Sequence, residues 1–198
     1  MKDFQLYKQS HGYSCGPAAL MMVMAALGDD TLMNVRLEDS IWGDANLVES
    51  RATSSYGLAL AALKRGHSAE VMTDSDRVAF ADRLKRHLPE MDLKKLDREF
   101  RRAKEEAREL GVRETRKHVG TQDIRRELDE GNLPMVLIST RLMWELRPIP
   151  HWVVATGMDQ REVTIANPEH GRLERYRLKR FDKYLGYDGH TCMVCILD

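Results

Sequence analysis

Apolar residues follow two different patterns along the chain. Up to about residue 130 they gather in helix-sized blocks, and beyond it they come as alternating or continuous runs. Cys15–Leu27 (CGPAALMMVMAAL) is apolar on every side and is stopped by Gly28, which predicts a buried helix. Residues 31–49 predict a second helix, with Leu32, Val35, Leu37 and Ile41 as its buried positions. Residues 54–65, ended by Gly66, predict a third, and residues 69–73 a short strand. Between 76 and 110 both charge signs are dense, while Leu93, Leu96, Phe100, Ala103, Ala107 and Leu110 recur at helical steps. That single narrow stripe predicts a surface helix packed on the core, and Pro89 separates it from another helix near 77–88. After a helix over 121–130, closed by Gly131, strands are predicted at 134–139, 152–158, 162–166 and 191–197. Helices first and strands last predict an α+β fold with a mostly antiparallel sheet, not a doubly wound one.

Composition narrows the class. The 198 residues are read as one domain, 1–198, carrying a charged helical insertion at about 76–120. Lys+Arg and Asp+Glu are both 31, so the net charge is zero and the expectation is no nucleic-acid partner. The longest apolar run, 18–27, is too short to span a bilayer as a helix. The residues before it, with Asp3 and only Lys2 and Lys8 as cations, do not resemble a signal peptide. The expectation is a cytoplasmic protein without membrane insertion. Cys15, Cys192 and Cys195 make no disulfide framework. The spacing of Cys192 and Cys195 is that of a redox or zinc motif, but on a strand the two thiols point to opposite faces. They are expected to be buried small side chains, and neither a metal nor an organic cofactor is expected.

The chemistry concentrates in Gln9-Ser-His-Gly-Tyr-Ser-Cys15-Gly16-Pro17. A cysteine that opens a helix straight after a turn meets free amides and the helix dipole, both of which favour an anion. Cys15 is therefore the candidate nucleophile, expected to have a lowered thiol pKa. Gly16 is expected to leave space beside the sulfur for a substrate carbonyl, and Pro17 is tolerated in a first helical turn. Gln9 offers a side-chain amide that could share an oxyanion hole with the Cys15 N–H. Of seven histidines, His151 is best set as the base, because it opens the strand HWVVATG after Pro148-Ile149-Pro150. Asn167, closing VTIAN before Pro168, is the candidate to orient the imidazole, with Asp159 and Asp182 as rivals. His11 is read as a surface residue, and His67, His87, His118, His170 and His190 as solvated. Trp144 and Trp152 are candidate substrate-contacting residues, with Arg141 or Arg147 placed to meet a carboxylate.

Gln9, Cys15-Gly16-Pro17, His151-x-Val153-Val154 and Asn167-Pro168-x-x-Gly171 together resemble the peptidase family that removes double-glycine leader peptides from bacteriocins. The resemblance covers both ends of the chain and leaves 76–121 unmatched. It implies a papain-like cysteine peptidase fold, with the nucleophile at a helix N-terminus packed on a C-terminal antiparallel sheet. It also implies cleavage of a peptide or amide substrate through a thioester, in a stand-alone peptidase-like protein. Two residues depart from the family pattern. Ser14 stands where the family carries Asp before the cysteine, and Asn167 stands where it carries Asp as the third member. Two other readings use the same residues: a small-molecule amidase or acyltransferase, and a peptide-binding module without turnover.

Overall fold

The N-terminal apolar block forms the centre of the fold. In the computed structural model, which describes residues 4–30, 32–47, 50–78, 80–81, 85, 89–143 and 148–197, helix α1 is Cys15–Leu27. It is apolar all round because it is enclosed all round, with residues 18–24 buried. Gly28 ends it at φ 110°, a left-handed conformation that glycine adopts freely, and its N–H closes onto Met24 and Ala25 carbonyls.

Helix α2 (Val35–Ala45) is shorter than the pattern predicts, because the Asn34 side chain caps it by accepting from Leu37 N at 3.0 Å. Its buried face is Glu38, Ile41 and Ala45, whereas Leu32 and Val35 are 76% and 48% exposed. Strands β1 (Asn46–Leu47) and β2 (Ala52–Thr53) make a small antiparallel pair leading to α3 (Ser55–Leu63). Ser54 caps α3 by accepting from Gly57 N at 3.0 Å. A Cβ added at Gly57 would lie 2.5 Å from the Ala45 carbonyl oxygen and 2.8 Å from Ala45 Cα. Helix α3 thus crosses the end of α2 at a separation that only glycine allows. Gly57→Ala is expected to lower stability by about 1–3 kcal/mol, read as a shift in urea midpoint at constant slope. An unchanged midpoint would mean the crossing relaxes without cost.

The main sheet contains β3 (Ser68–Thr73), β4 (Arg113–Arg116), β5 (Met135–Ser139), β6 (Pro150–Met158), β7 (Glu162–Asn167), β8 (Arg172–Arg177) and β9 (Cys192–Leu197). Their order is β4-β3-β9-β5-β6-β7-β8, antiparallel except for the β3–β4 pair. Alternation along the strands divides the core between two faces. Met135, Leu137, Trp152, Val154 and Cys192 face α1 and its neighbours. Val136, Ile138, Val153, Val163, Ile165 and Cys195 face the opposite layer. That layer is α5 (Thr121–Asp129) and α6 (Leu178–Tyr184), which contribute Ile124 and Phe181. Cys192 and Cys195 therefore sit on opposite faces, as the strand period requires.

Helix α4 (Glu90–Glu109) packs on α3 through Leu96, Phe100 and Ala107, with the Phe100 and Tyr56 rings 5.4 Å apart. Leu110, expected within its stripe, lies past the helix end and is 58% exposed. Lys104 is buried instead, paired with Asp76 at 2.7 Å and Glu114 at 2.8 Å. The helix expected near 77–88 falls largely outside the described residues. Four strands and a helix were absent from the sequence reading: β1, β2, β4, β8 and α6. Among the described residues no helix is long and apolar enough to cross a membrane.

Candidate active site

Cys15 is the first residue of α1, and His151 and Trp152 lie near the start of β6. These three, with Tyr13, Thr53, Thr140 and Glu169 among others, line one cleft of about 160 Å³. Antiparallel pairing of β6 with β7 brings the beginning of one strand beside the end of the other. Asn167 consequently reaches His151 across 16 residues of sequence, with His151 Nε2 to Asn167 Oδ1 at 2.9 Å. Both side chains are buried.

The direction of that hydrogen bond follows from its surroundings. Asn167 Oδ1 also accepts from the backbone N–H of Glu169 at 3.0 Å, and Asn167 Nδ2 donates to Glu174 Oε2 at 3.0 Å. Burial raises the Glu174 pKa, but donors from Tyr176 (2.6 Å), Asn167, His170 (2.5 Å) and Arg172 (3.2 Å) outweigh it and hold the carboxyl down at about 2. An ionised carboxylate only accepts, so Asn167 must turn its NH₂ to Glu174 and its oxygen to His151. His151 then carries its proton on Nε2 and leaves Nδ1 bare, the tautomer a general base needs. Burial lowers the His151 pKa to about 4, opposed in part by Asn167, so the ring is neutral at pH 7.

Cys15 reaches the cleft but is crowded on its other sides, and burial pushes its thiol up to about 11. Backbone N–H groups of Trp152, Gly16 and Cys15 itself favour the thiolate, while the Glu169 charge opposes it. This corrects the expectation of a lowered pKa: the amides at the helix start are present, but desolvation outweighs them. Burial thus favours the uncharged form of each side chain.

The loop ahead of Cys15 is held by Glu38, a fully buried carboxylate on α2. It accepts from Tyr7 Oη (2.9 Å), from Ser10 N (2.9 Å) and from the Ser14 hydroxyl. Ser14 Oγ in turn accepts from the His11 backbone N–H at 3.2 Å. Ser14 lacks the carboxylate that the resembled family carries at that position, but it is bonded to one supplied by a helix 24 residues away. The sequence reading overlooked Glu38. The available signal was a glutamate at the three- and four-residue spacing of Ile41 and Ala45.

Gln9 is buried in the same loop, its N–H donating to the Pro168 carbonyl at 2.8 Å. Its Nε2 donates to the His11 carbonyl at 2.8 Å, and its Oε1 is buried without a hydrogen-bond partner among the described residues. It is not among the residues that line the cleft. The space at Gly16 is not open for a carbonyl, as had been expected. A side chain there would collide with Thr53 Oγ1 and Leu58, so the glycine admits protein, not substrate.

Trp152 lines the cleft, whereas Trp144 and Arg147 lie outside the described residues. Of the rivals to Asn167, Asp159 accepts from Arg161 N and Glu162 N in the β6–β7 turn, and Asp182 is exposed on α6. Neither is bonded to His151. Three histidines read as solvated are not: His67 pairs with Asp29 at 3.0 Å, its side chain 8% exposed, His170 belongs to the Glu174 cluster, and half-buried His190 faces Asp74 at 3.7 Å. His87 lies outside the described residues, and among those described no group of three His, Cys, Asp or Glu could hold a metal ion.

Comparisons with known proteins agree with this architecture. An uncharacterized protein of Methanothermobacter marburgensis is 39% identical over 67 residues, 34% of this chain and 43% of that protein. The match thus spans less than half the length of that curated relative. The peptidase domain of Streptococcus ComA, described as a bi-functional ABC transporter involved in a quorum sensing pathway, has a similar fold. The TM-score is 0.51 over 97% of this chain and 98% of that domain, at 12% identity. Residues 4–181, from the lead-in segment into α6, match the family described as Peptidase_C39 like. The chain belongs to that Peptidase_C39-like family and has its α+β, cysteine-peptidase-like fold.

Proposed function

We propose that the protein is a cysteine peptidase or amidase that cleaves a peptide or amide bond through a thioester on Cys15. The observation that carries this reading is the His151–Asn167 bond, with Glu174 and Glu169 N fixing its direction, in the wall of the cleft that Cys15 opens into. A neutral thiol and a neutral imidazole work by general-base attack, not from a preformed ion pair. As the Cys15 sulfur bonds to the substrate carbonyl carbon, its proton passes to His151 Nδ1. The oxyanion is taken up by the Cys15 N–H, and Gln9 joins it only by turning its amide from the His11 carbonyl into the cleft. Protonated His151 gives its proton to the leaving nitrogen as the C–N bond breaks. Water, deprotonated by the same ring, then releases the acid. These steps need no metal or organic cofactor. A cytoplasmic peptide, outside nucleic-acid or membrane complexes, is the substrate class this reading takes.

One observation favours a second reading, a cleft that holds peptides without cutting them: the burial that raises Cys15 to about 11. A peptidyl acyloxymethyl ketone, which alkylates a thiol only when a catalytic base assists, separates the two. The peptidase reading expects a Cys15 adduct by mass spectrometry that disappears in His151→Ala. A well-folded protein that forms none would leave the binding reading. Iodoacetamide, which needs only thiolate, provides the pH check. A thiol raised to about 11 is protonated at neutral pH, so alkylation should climb with pH towards 11. Fast alkylation that is already level below pH ~7 would show a stabilised thiolate instead.

A further inference from the structure

A second hollow begins one residue beyond the cleft. Thr140 lines the cleft, and the next residue, Arg141, lines a hollow of about 590 Å³ whose other walls are Arg177, Lys179, Arg180, Lys183 and Tyr184. Every charged residue that lines it is a cation, and Asp182, exposed on the same helix, is not among the lining residues. Arg180 is fixed by donation from its Nη2 to the Leu142 carbonyl at 2.9 Å, and Lys183 stands 5.4 Å from the Tyr184 ring centroid.

Among the described residues, none of these five cations has a carboxylate partner. Elsewhere pairing is frequent: Lys64 and Arg65 share Asp44, Lys104 bridges Asp76 and Glu114, and Lys117 meets Asp123. The whole chain is neutral, yet residues 172–183 hold six cations and two anions. One of those anions, Glu174, is committed to Asn167, His170, Tyr176 and Arg172. Like charges around one hollow repel each other, and a bound anion relieves that repulsion.

We propose that this hollow binds an acidic segment of the substrate, so that the protein selects peptides with Asp or Glu close to the bond that is cut. The proposal rests on the peptidase reading of the cleft. Position favours a peptide, since Thr140 of the cleft and Arg141 of the hollow are consecutive residues of one short turn. Spacing favours it too. The cations come from the turn after β5, from the end of β8 and from α6, over a volume suited to several carboxylates. Guanidinium groups match carboxylates with two parallel hydrogen bonds. Strand β8 is a sheet edge, so its outer backbone groups are free to hold an extended chain. A nucleic acid would find one aromatic ring in the hollow, with Lys183 already over the ring of Tyr184.

The test uses the full chain carrying Cys15→Ala, to prevent turnover, and fluorescence anisotropy. The probes are a labelled Asp/Glu-rich peptide, a Gln/Ser-rich peptide of equal length, an oligothymidylate and phosphatidylglycerol vesicles. Two charge-reversed proteins are compared: Arg177→Glu, Lys179→Glu, Lys183→Glu at the hollow, and Lys94→Glu, Arg98→Glu, Arg101→Glu on α4. The acidic peptide should bind most tightly, weaken by about tenfold or more in the hollow variant, and change less than about twofold in the α4 variant. Its binding should also vanish near ~1 M salt, where the screening length is about 3 Å. Three outcomes would overturn the proposal: equal binding of the neutral peptide, equal loss in both variants, or tighter binding of the oligonucleotide or vesicles. The assay needs no chemistry at Cys15. If the ketone fails to label Cys15 while the acidic peptide still binds at the hollow, the peptidase reading falls and the anion selectivity stands.

Discussion

Replacing Cys15 by alanine is expected to reduce amide hydrolysis by a factor on the order of 10⁵–10⁶ with the fold retained, as when the nucleophile of a catalytic triad is removed. No remaining group in the cleft can substitute for the sulfur. Ser50, Thr53 and Thr140 also line it, but the side-chain bond found for His151 is to Asn167, and Ser50 donates to the Leu47 carbonyl. The fold should survive because only one sulfur is lost from a position already open to the cleft, and the groups it leaves are the backbone N–H groups of Trp152, Gly16 and residue 15 itself. His151→Ala should come close to the same loss, since the two residues act as a unit and their effects do not add. Single-turnover kinetics on a peptide selected by ketone labelling would measure both. Activity in Cys15→Ala within about tenfold of the wild type would end the thioester mechanism.

The second large effect is expected at Glu38. Its carboxylate gathers Tyr7, Ser10 and Ser14 around the loop that presents Cys15, and it does so without solvent. In Glu38→Ala these donors lose a charged acceptor and a side-chain-sized void opens beneath the loop. Stability should fall by about 2–4 kcal/mol, the range for stripping a charged partner from buried donors. Ketone labelling of Cys15, measured where the variant is still folded, should slow as well, because the start of α1 is no longer tied to α2. Glu38→Gln separates charge from shape: it keeps the volume but turns an NH₂ towards donors. A urea midpoint within about 0.5 kcal/mol of wild type for the alanine variant would show that the loop is held by other contacts.

These two residues also show what a sequence can reveal. Cys15, Gly28 and the apolar block between them carry their structure locally, and so do the alternating strands that place His151 and Asn167. The candidate site was readable wherever its geometry follows from such local signals. Glu38 and Glu174 were not readable, because a buried carboxylate is defined by donors delivered from elsewhere in the fold. The same is true of the Cys15 thiol. Its place at a helix start is local and points to a low pKa, while the desolvation that reverses it comes from the surrounding packing. Strands β4 (RETR) and β8 (RLERYR) were missed for a different reason. A strand at a sheet edge needs little buried face, so its residues resemble a solvated loop.

Those two edge strands affect how the protein behaves in a crowded solution. An open sheet invites a neighbouring molecule to add its own strand, and repeated addition leads to fibres. Here one border carries Arg113 and Arg116, and the other Arg172, Arg175 and Arg177. Two copies meeting along the same border would press guanidinium against guanidinium, and a longer shared sheet would be repelled before its backbone could pair.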